Sequence, residues 1–323
     1  MRVSLEQAIA ALKNGEVVAI PTETVYGLAA DATNDSALKK IFSTKQRPAD
    51  HPLIVHIAGV AQVPDWVTDF PETAQKLAQA FWPGALTLVL PAKPRVSRVV
   101  RGGEPTVALR VPQHPLALQL LKQGNLSVAA PSANLFTQLS PTTAAHVEAG
   151  LGADIPVLDG GACSVGIEST IVSVQPDGRW QLLRPGMISE ADIAAIAGMH
   201  QQIKQANAEK TVSVTPKVPG QHALHYSPRT PLDLFNDRHA LMAACNTLQG
   251  AEISCAAMVI GEGGMPQCHT VVLPDQPDKA AELLYSTLHA LDAMKVQRLL
   301  VELPPVSASW LAVLDRLTRA GHQ

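Results

Sequence analysis

The chain has 323 residues, 46% of them hydrophobic and 16% charged, with a formal net charge of −3. Its length exceeds what one core usually organises, so two domains are expected, and the apolar content excludes a disordered chain. Aromatics at 4% and the slight acidity argue against a stacking platform for single strands or a broad phosphate-binding face, while leaving a local basic cleft open.

Ser4 reads as an N-cap, with Leu5, Ile9 and Leu12 at helical spacing and Asn14-Gly15 as the stop. A strand over residues 17–20 runs into the polar turn Pro21-Thr22-Glu23-Thr24, and Gly27 then allows close backbone approach. A helix over 37–42 leads to Lys45-x-Arg47-Pro48. Short apolar runs at 53–57, 86–90, 107–111, 127–130, 156–158, 170–174 and 180–183 read as strands. Helical patterns at 72–80, 115–122 and 142–149 fall between them. This predicts an α/β domain with a large sheet, of mixed strand direction because several connections are too short for helical crossovers.

Ser189 caps a further helix over 191–197, and residues 199–229 then turn polar, with Pro216, Pro219 and Gly220 and no period. From Pro231, strands at 232–235, 255–260, 271–273 and 299–303 alternate with helices at 239–248, 279–295 and 309–319. That alternation predicts a smaller Rossmann-like α/β domain. The expected division is 1–198 for the first domain, 199–229 for a linker or lid, and 230–323 for the second.

No P-loop signature, H-E-x-x-H or G-x-S-x-G is present. Gly261-Glu262-Gly263-Gly264-Met265-Pro266 fails as a dinucleotide fingerprint, because a proline stands where a helix should begin. Phosphate would then be held by scattered cations and hydroxyls. Lys45 and Arg47 suit a triphosphate clamp, or alternatively complement a helix dipole. His51 and His56 bracket the neighbouring strand. Arg110, inside an alternating strand, needs a partner when buried: a substrate carboxylate, or an Asp or Glu. Ser132-Ala133-Asn134 ends one strand in a small turn that suits a ligand or a simple cap. Glu168-Ser169-Thr170 opens another, and Arg184 ends the next. Polar groups at the ends of several strands converge where α/β sheets bind ligands. The cysteines, Cys163, Cys245, Cys255 and Cys268, lack C-x-x-C spacing, so zinc is not expected and they read as small buried apolar residues of a reducing compartment. With no leader-like apolar region and no membrane-length run, a cytoplasmic protein without membrane contact is expected.

Five motifs stand in one order: Pro21-Thr22-Glu23-Thr24-x-Tyr26-Gly27-Leu28, Lys45-x-Arg47-Pro48, Ala130-Pro131-Ser132-Ala133-Asn134, Glu168-Ser169-Thr170 and Leu183-Arg184-Pro185-Gly186. Over roughly residues 5–190 the chain closely resembles the YrdC/Sua5 family, the threonylcarbamoyl-AMP synthases of tRNA modification. The resemblance implies a YrdC-like twisted mixed sheet and a pocket for L-threonine, bicarbonate or CO2, and ATP with Mg²⁺. In that family the threonine carbamate attacks the α-phosphate, pyrophosphate leaves, and L-threonylcarbamoyl-AMP passes to a partner complex that installs it on tRNA adenosine 37.

By match, Thr24, His56, Arg110, Ala130 and Thr170 would hold threonine, with Arg110 on its carboxylate. Arg47, His51, Thr106, Ser132, Ser140 and Arg184 would hold ATP, helped by Asn134, with Lys45 and Arg47 as the catalytic cations. Long, Sua5-type members carry a linker signature that folds over the site. Here it reads Pro219-Gly220-Gln221-His222-Ala223-Leu224-His225-Tyr226-Ser227-Pro228; Pro-Gly, His-Tyr and Pro survive, but the Met-Lys-Tyr portion does not. Tyr226 keeps a gating role over the nucleotide, without a lysine contact from this linker. The alternative is an RNA-binding regulatory protein of the same fold, and weak RNA contact is allowed for; acidity and few aromatics weigh against it. The related carbamoyl-transfer domain of hydrogenase-maturation proteins comes with acylphosphatase and zinc-finger segments, which this chain lacks. Residues 231–323 could also form a separate ligand-sensing or docking domain.

Overall fold

Ser4 caps the first helix, Leu5–Lys13, through a reciprocal capping box with Gln7, and the chain then enters a ten-stranded sheet. The computed structural model describes residues 1–198, 216–220 and 225–321. The strands are β1 (Arg2–Val3), β2 (Val18–Ile20), β3 (Gly27–Asp31), β4 (Ile54–His56), β5 (Leu86–Pro91), β6 (Thr106–Arg110), β7 (Val128–Ala129), β8 (Val157–Leu158), β9 (Thr170–Val174) and β10 (Trp180–Arg184). Their order is β1-β8-β2-β3-β7-β4-β6-β5-β9-β10. Direction is mixed as expected: β4 runs parallel to β6 and β5 to β9, while β2–β3, β5–β6 and β9–β10 are antiparallel.

Sequence patterning missed β3. Gly27-Leu28-Ala29-Ala30-Asp31 is poor in β-branched and aromatic residues, and its strand state comes from pairing between β2 and β7. Gly27 also does what its type suggested. A Cβ there would lie 3.0 Å from the Cβ of Ala130.

The helix Asp35–Lys45 runs past the expected end at 42 and stops at Gln46, whose φ is 53°. Lys45 therefore occupies a last helical turn with its side chain directed inward. Ser189 caps the helix Glu190–Ala197, again with a capping box. The expected linker over 199–229 falls largely outside the described residues; of it, the structure describes 216–220 and 225–229.

The second sheet contains β11 (Leu232–Phe235), β12 (Cys255–Ile260), β13 (His269–Leu273) and β14 (Arg298–Glu302), in the order β11-β14-β12-β13. All pairs are parallel, as a Rossmann-like unit requires. Helices Arg238–Gly250, Pro277–Ala293 and Leu311–Ala320 cover it. Its core reaches across the boundary: Val25, Leu139 and Ile167 of the first domain share one apolar cluster with Tyr226, Leu284 and Trp310. Among the described residues, no helix is long and apolar enough to cross a membrane.

Candidate active site

Between the large sheet and the second domain lies a pocket lined by Thr24, Lys45, Arg47, His56, Arg110, Ala130, Ser132, Asn134, Arg184 and Tyr226, all singled out from the sequence. Thr22, Ser169, Glu168, Gly220 and His225 join them. Each wall has a local cause. Thr22 Oγ1 donates to the Val25 carbonyl at 2.6 Å and bonds Thr24 Oγ1 at 2.8 Å, so the turn after β2 is locked by its own hydroxyls. The register of β4 on β6 pairs His56 with Arg110, placing both at one end of adjacent strands.

The cations are buried and bound to little charge. Lys45 Nζ donates to the Ser132 and Asn134 carbonyls at 2.6 and 2.5 Å, so the helix end and the Pro131–Asn134 turn hold each other. Burial, then Arg47, pushes the Lys45 amine well below its ordinary range. Arg47 Nη2 donates to the Pro52 carbonyl at 3.0 Å, and burial lowers its pKa too. Arg184 fixes the Ser169 carbonyl through Nε and Nη2 at 3.1 and 2.9 Å, and reaches the Pro219 carbonyl with Nη1 at 3.1 Å. Three cations thus converge with carbonyls for partners, an arrangement that favours an anion.

Arg110 meets the second alternative read from the sequence. Nη2 pairs with Glu23 Oε1 at 2.7 Å, Nη1 donates to Thr24 Oγ1 at 2.9 Å, and Nε to the Gly84 carbonyl at 3.2 Å. A guanidinium carries five N–H donors, so two remain for a further acceptor. His56 beside it is held neutral: burial first, then Arg110, lowers it to about 3.

Among the described residues, four buried side-chain atoms lack a hydrogen-bond partner: Arg47 Nε, Asn134 Oδ1, His225 Nδ1 and Tyr226 Oη. All four residues line this one pocket. Unpaired buried polar atoms are costly, and their convergence marks a place built for a polar ligand. The pocket is also narrow. Pro219-Gly220 and His225-Tyr226 roof it, leaving a cavity of about 50 Å³, less than small-molecule sites usually hold. Tyr226 sits at φ 61°, a strained conformation for an aromatic residue. Gly220 makes room for it, since a Cβ there would lie 2.5 Å from Tyr226 Oη.

Four expected residues lie outside the lining. Thr170 is fully buried and donates to the Ile188 carbonyl at 2.7 Å. Ser140 Oγ donates to Glu168 Oε1 at 2.6 Å, one layer behind the pocket. Thr106 begins β6, at the opposite end from Arg110. His51 packs edge-on against Phe136, with ring centroids 5.4 Å apart, and Phe136 lines the pocket.

Sequence reasoning missed the second domain's contribution. Arg316 Nε and Tyr285 Oη bond Glu168 Oε2 at 2.9 and 3.1 Å, and the Arg316 guanidinium lies 5.2 Å from the centre of the Tyr226 ring. One signal was available: Arg316 falls in the apolar stripe Val313, Arg316, Leu317, Ala320 of its helix, where a cation demands a buried partner. A larger cavity of about 910 Å³ lies nearby between the domains, lined by Gln138, His146, Arg229, His289 and Arg298 among others. Among the described residues it lacks the convergent unpartnered atoms apart from Asn134, which borders both, so the smaller pocket is the candidate site.

Residues 10–186 match the Sua5/YciO/YrdC family model, described as telomere recombination, and residues 188–321 match the model of the threonylcarbamoyl-AMP synthase C-terminal domain. Threonylcarbamoyl-AMP synthase of Bacillus subtilis is 40% identical over 98% of this chain and 92% of its own length. That of Pyrococcus abyssi is 38% identical over 96% of this chain and 91% of its own. The crystal structure of P. abyssi Sua5 complexed with L-threonine superposes with a TM-score of 0.86 at 34% identity, covering 99% of this chain and 96% of that one. The chain belongs to the Sua5/YrdC family of threonylcarbamoyl-AMP synthase enzymes, in the long form that carries the Sua5-type C-terminal domain.

Proposed function

We propose that the protein makes L-threonylcarbamoyl-AMP and pyrophosphate from L-threonine, bicarbonate or CO2, and ATP, and supplies the product in the cytosol to a complex that modifies adenosine 37 of tRNA. The observation that carries this reading is the set of four unpartnered polar atoms around three buried cations in one narrow pocket.

Each role follows from the contacts. The two N–H donors left on Arg110 would take the threonine carboxylate, with Thr24 and His56 beside them; the threonine bound to P. abyssi Sua5 supports that assignment. The Ala130 backbone borders the same corner. Lys45, Arg47 and Arg184 would face the phosphates, with Ser132, Asn134 and Tyr226 around the nucleotide. Thr170, Ser140, Thr106 and His51 then act from behind these groups, or come forward when the pocket opens to admit ATP.

The reaction needs no side-chain nucleophile. The threonine nitrogen adds to the carbon of CO2 and loses a proton, one carbamate oxygen bonds to the α-phosphorus, and the bond from that phosphorus to the bridging oxygen of pyrophosphate breaks. The chain's part is to align carbamate and α-phosphate and to balance the leaving charge. His56, kept neutral, serves as a hydrogen-bond partner rather than a second charge. Magnesium suits this pocket as an ion brought by the phosphates. Glu168 is already engaged by Arg316, Tyr285 and Ser140, while Asn134 Oδ1 is a free oxygen donor, and the ion would neutralise charge on the phosphates.

The test is pyrophosphate release from ATP by the purified chain with bicarbonate and Mg²⁺, with and without L-threonine. Threonine-dependent release that disappears in Lys45→Ala and Arg110→Ala is expected. Release indifferent to threonine overturns the reading.

A further inference from the structure

We propose that Cys245, Cys255 and Cys268 form a binding site for one thiophilic d¹⁰ cation such as Zn²⁺ in the C-terminal domain. Their spacing in sequence, with no C-x-x-C pair, gave no hint of it; the fold brings the three together. β12 and β13 pair in parallel with Ala256 opposite His269, so the residues just before them, Cys255 and Cys268, stand side by side at the entry edge of the sheet. The helix Arg238–Gly250 then lays Cys245, fully buried, over that pair.

The three sulfurs lie within 4.8 Å of one another, and Cys245 Sγ is 3.8 Å from Cys255 Sγ. An ion bonded to thiolates at about 2.3 Å sets its sulfurs roughly 3.8 Å apart in tetrahedral geometry and roughly 4.0 Å apart in trigonal geometry. A disulfide employs two sulfurs; a soft cation employs all three. Cys255 and Cys268 are half-buried, so the ion has an entry path and a fourth position open to water. All-thiolate donors select soft or borderline cations over Mg²⁺ or Ca²⁺.

Thiols bind such an ion as thiolates, so binding exchanges three S–H bonds for three metal–sulfur bonds, the protons pass to buffer, and affinity rises with pH. The ion would brace the sheet where it meets the catalytic domain. Cys255 pairs with Arg298 of β14, and Arg298 lines the large interdomain cavity.

The experiment uses the full chain, reduced and stripped of metal, titrated with Zn²⁺ alone. Expected are one zinc per chain by elemental analysis, three protons released per zinc, and the two half-buried native-state thiols, Cys255 and Cys268, shielded from a thiol reagent. Cys245 and, in the other domain, Cys163 are buried already. Cys255→Ser and Cys268→Ser change half-buried positions that tolerate a hydroxyl. Each should weaken zinc binding at least about tenfold while leaving pyrophosphate release intact. Zinc uptake unchanged in both variants, no uptake at micromolar zinc, or a Cys245–Cys255 disulfide forming in place of any metal complex would each overturn the proposal.

Discussion

Arg316 Nε donates to Glu168 Oε2 across 2.9 Å, and this ion pair joins the two domains directly behind the pocket. Burial alone would raise the Glu168 carboxyl; Arg316, then Arg184, outweighs it and holds the group at about 2. Ser140 and Tyr285 complete the shell of acceptor bonds. The second domain is therefore part of the support of Glu168-Ser169, whose serine carbonyl in turn fixes Arg184.

Arg316→Ala leaves the Glu168 carboxylate buried without its main counter-charge, a loss of about 3–5 kcal/mol. A drop of many degrees in Tm and a fall in pyrophosphate release are expected together. The double variant Arg316→Met with Glu168→Gln should recover part of the stability, because it removes both charges. Thermal unfolding of the two single variants and the double decides it: strictly additive losses would mean that the two residues do not act as a pair.

Lys45→Ala removes a cation and the two bonds that tie the helix end to the Pro131–Asn134 turn. Turnover should fall about a hundredfold or more, as for loss of one preorganised electrostatic group. Lys45→Arg should not rescue it, since a planar fork does not fit two carbonyls gathered by a compact ammonium. Steady-state pyrophosphate release at saturating ATP and threonine is the measurement.

The roof over the pocket gives a prediction about spacing. Gly220→Ala places a methyl 2.5 Å from Tyr226 Oη at φ 88°, so the roof must lift. Weaker ATP binding with a native far-UV spectrum is expected. Tyr226→Ala should lower turnover without unfolding the protein, and unchanged kinetics in that variant would falsify the gating role.

Much of this was legible in advance. That Lys45, Arg47 and Arg184 line the pocket was readable because a cation at the end of an apolar strand or helix has few structural uses; Thr24, His56 and Arg110 came through the motif resemblance. The parallel second sheet was readable from the regular alternation after Pro231. What escaped had no local signature. β3 is a strand only because β2 and β7 flank it, and Glu23 became the partner of Arg110 through a contact spanning much of the first domain. The three clustered cysteines likewise meet only through strand register and the packing of the helix Arg238–Gly250 on the sheet. Arg316 was visible as a misplaced cation on an apolar helix face, but its partner could not be read without the fold.

Acid should loosen the molecule through its buried histidines. His56 and His225 are lowered to about 3 and His146 to about 4, each chiefly by burial, with the stacked His289 ring adding to the effect at His146. Because the folded values lie below the ordinary 6.5, the unfolded chain takes up protons first. Stability is therefore full above that value and declines as pH falls toward about 4 and then about 3. Glu168, lowered from 4.5 to about 2, adds a further loss across that lower window. Urea midpoints measured from pH 7 to pH 4 should fall steadily. His146→Gln should flatten the slope between 6.5 and 4.

The closed roof has a kinetic consequence. With about 50 Å³ of free space beneath Pro219-Gly220 and His225-Tyr226, the threonine and ATP of the proposed reaction would need the segment around Tyr226 to move aside. Encounter then proceeds through a minor open population, and the observed association rate should level off at high ligand concentration, at the opening rate of that segment. The same plateau for threonine and for ATP would identify one shared door.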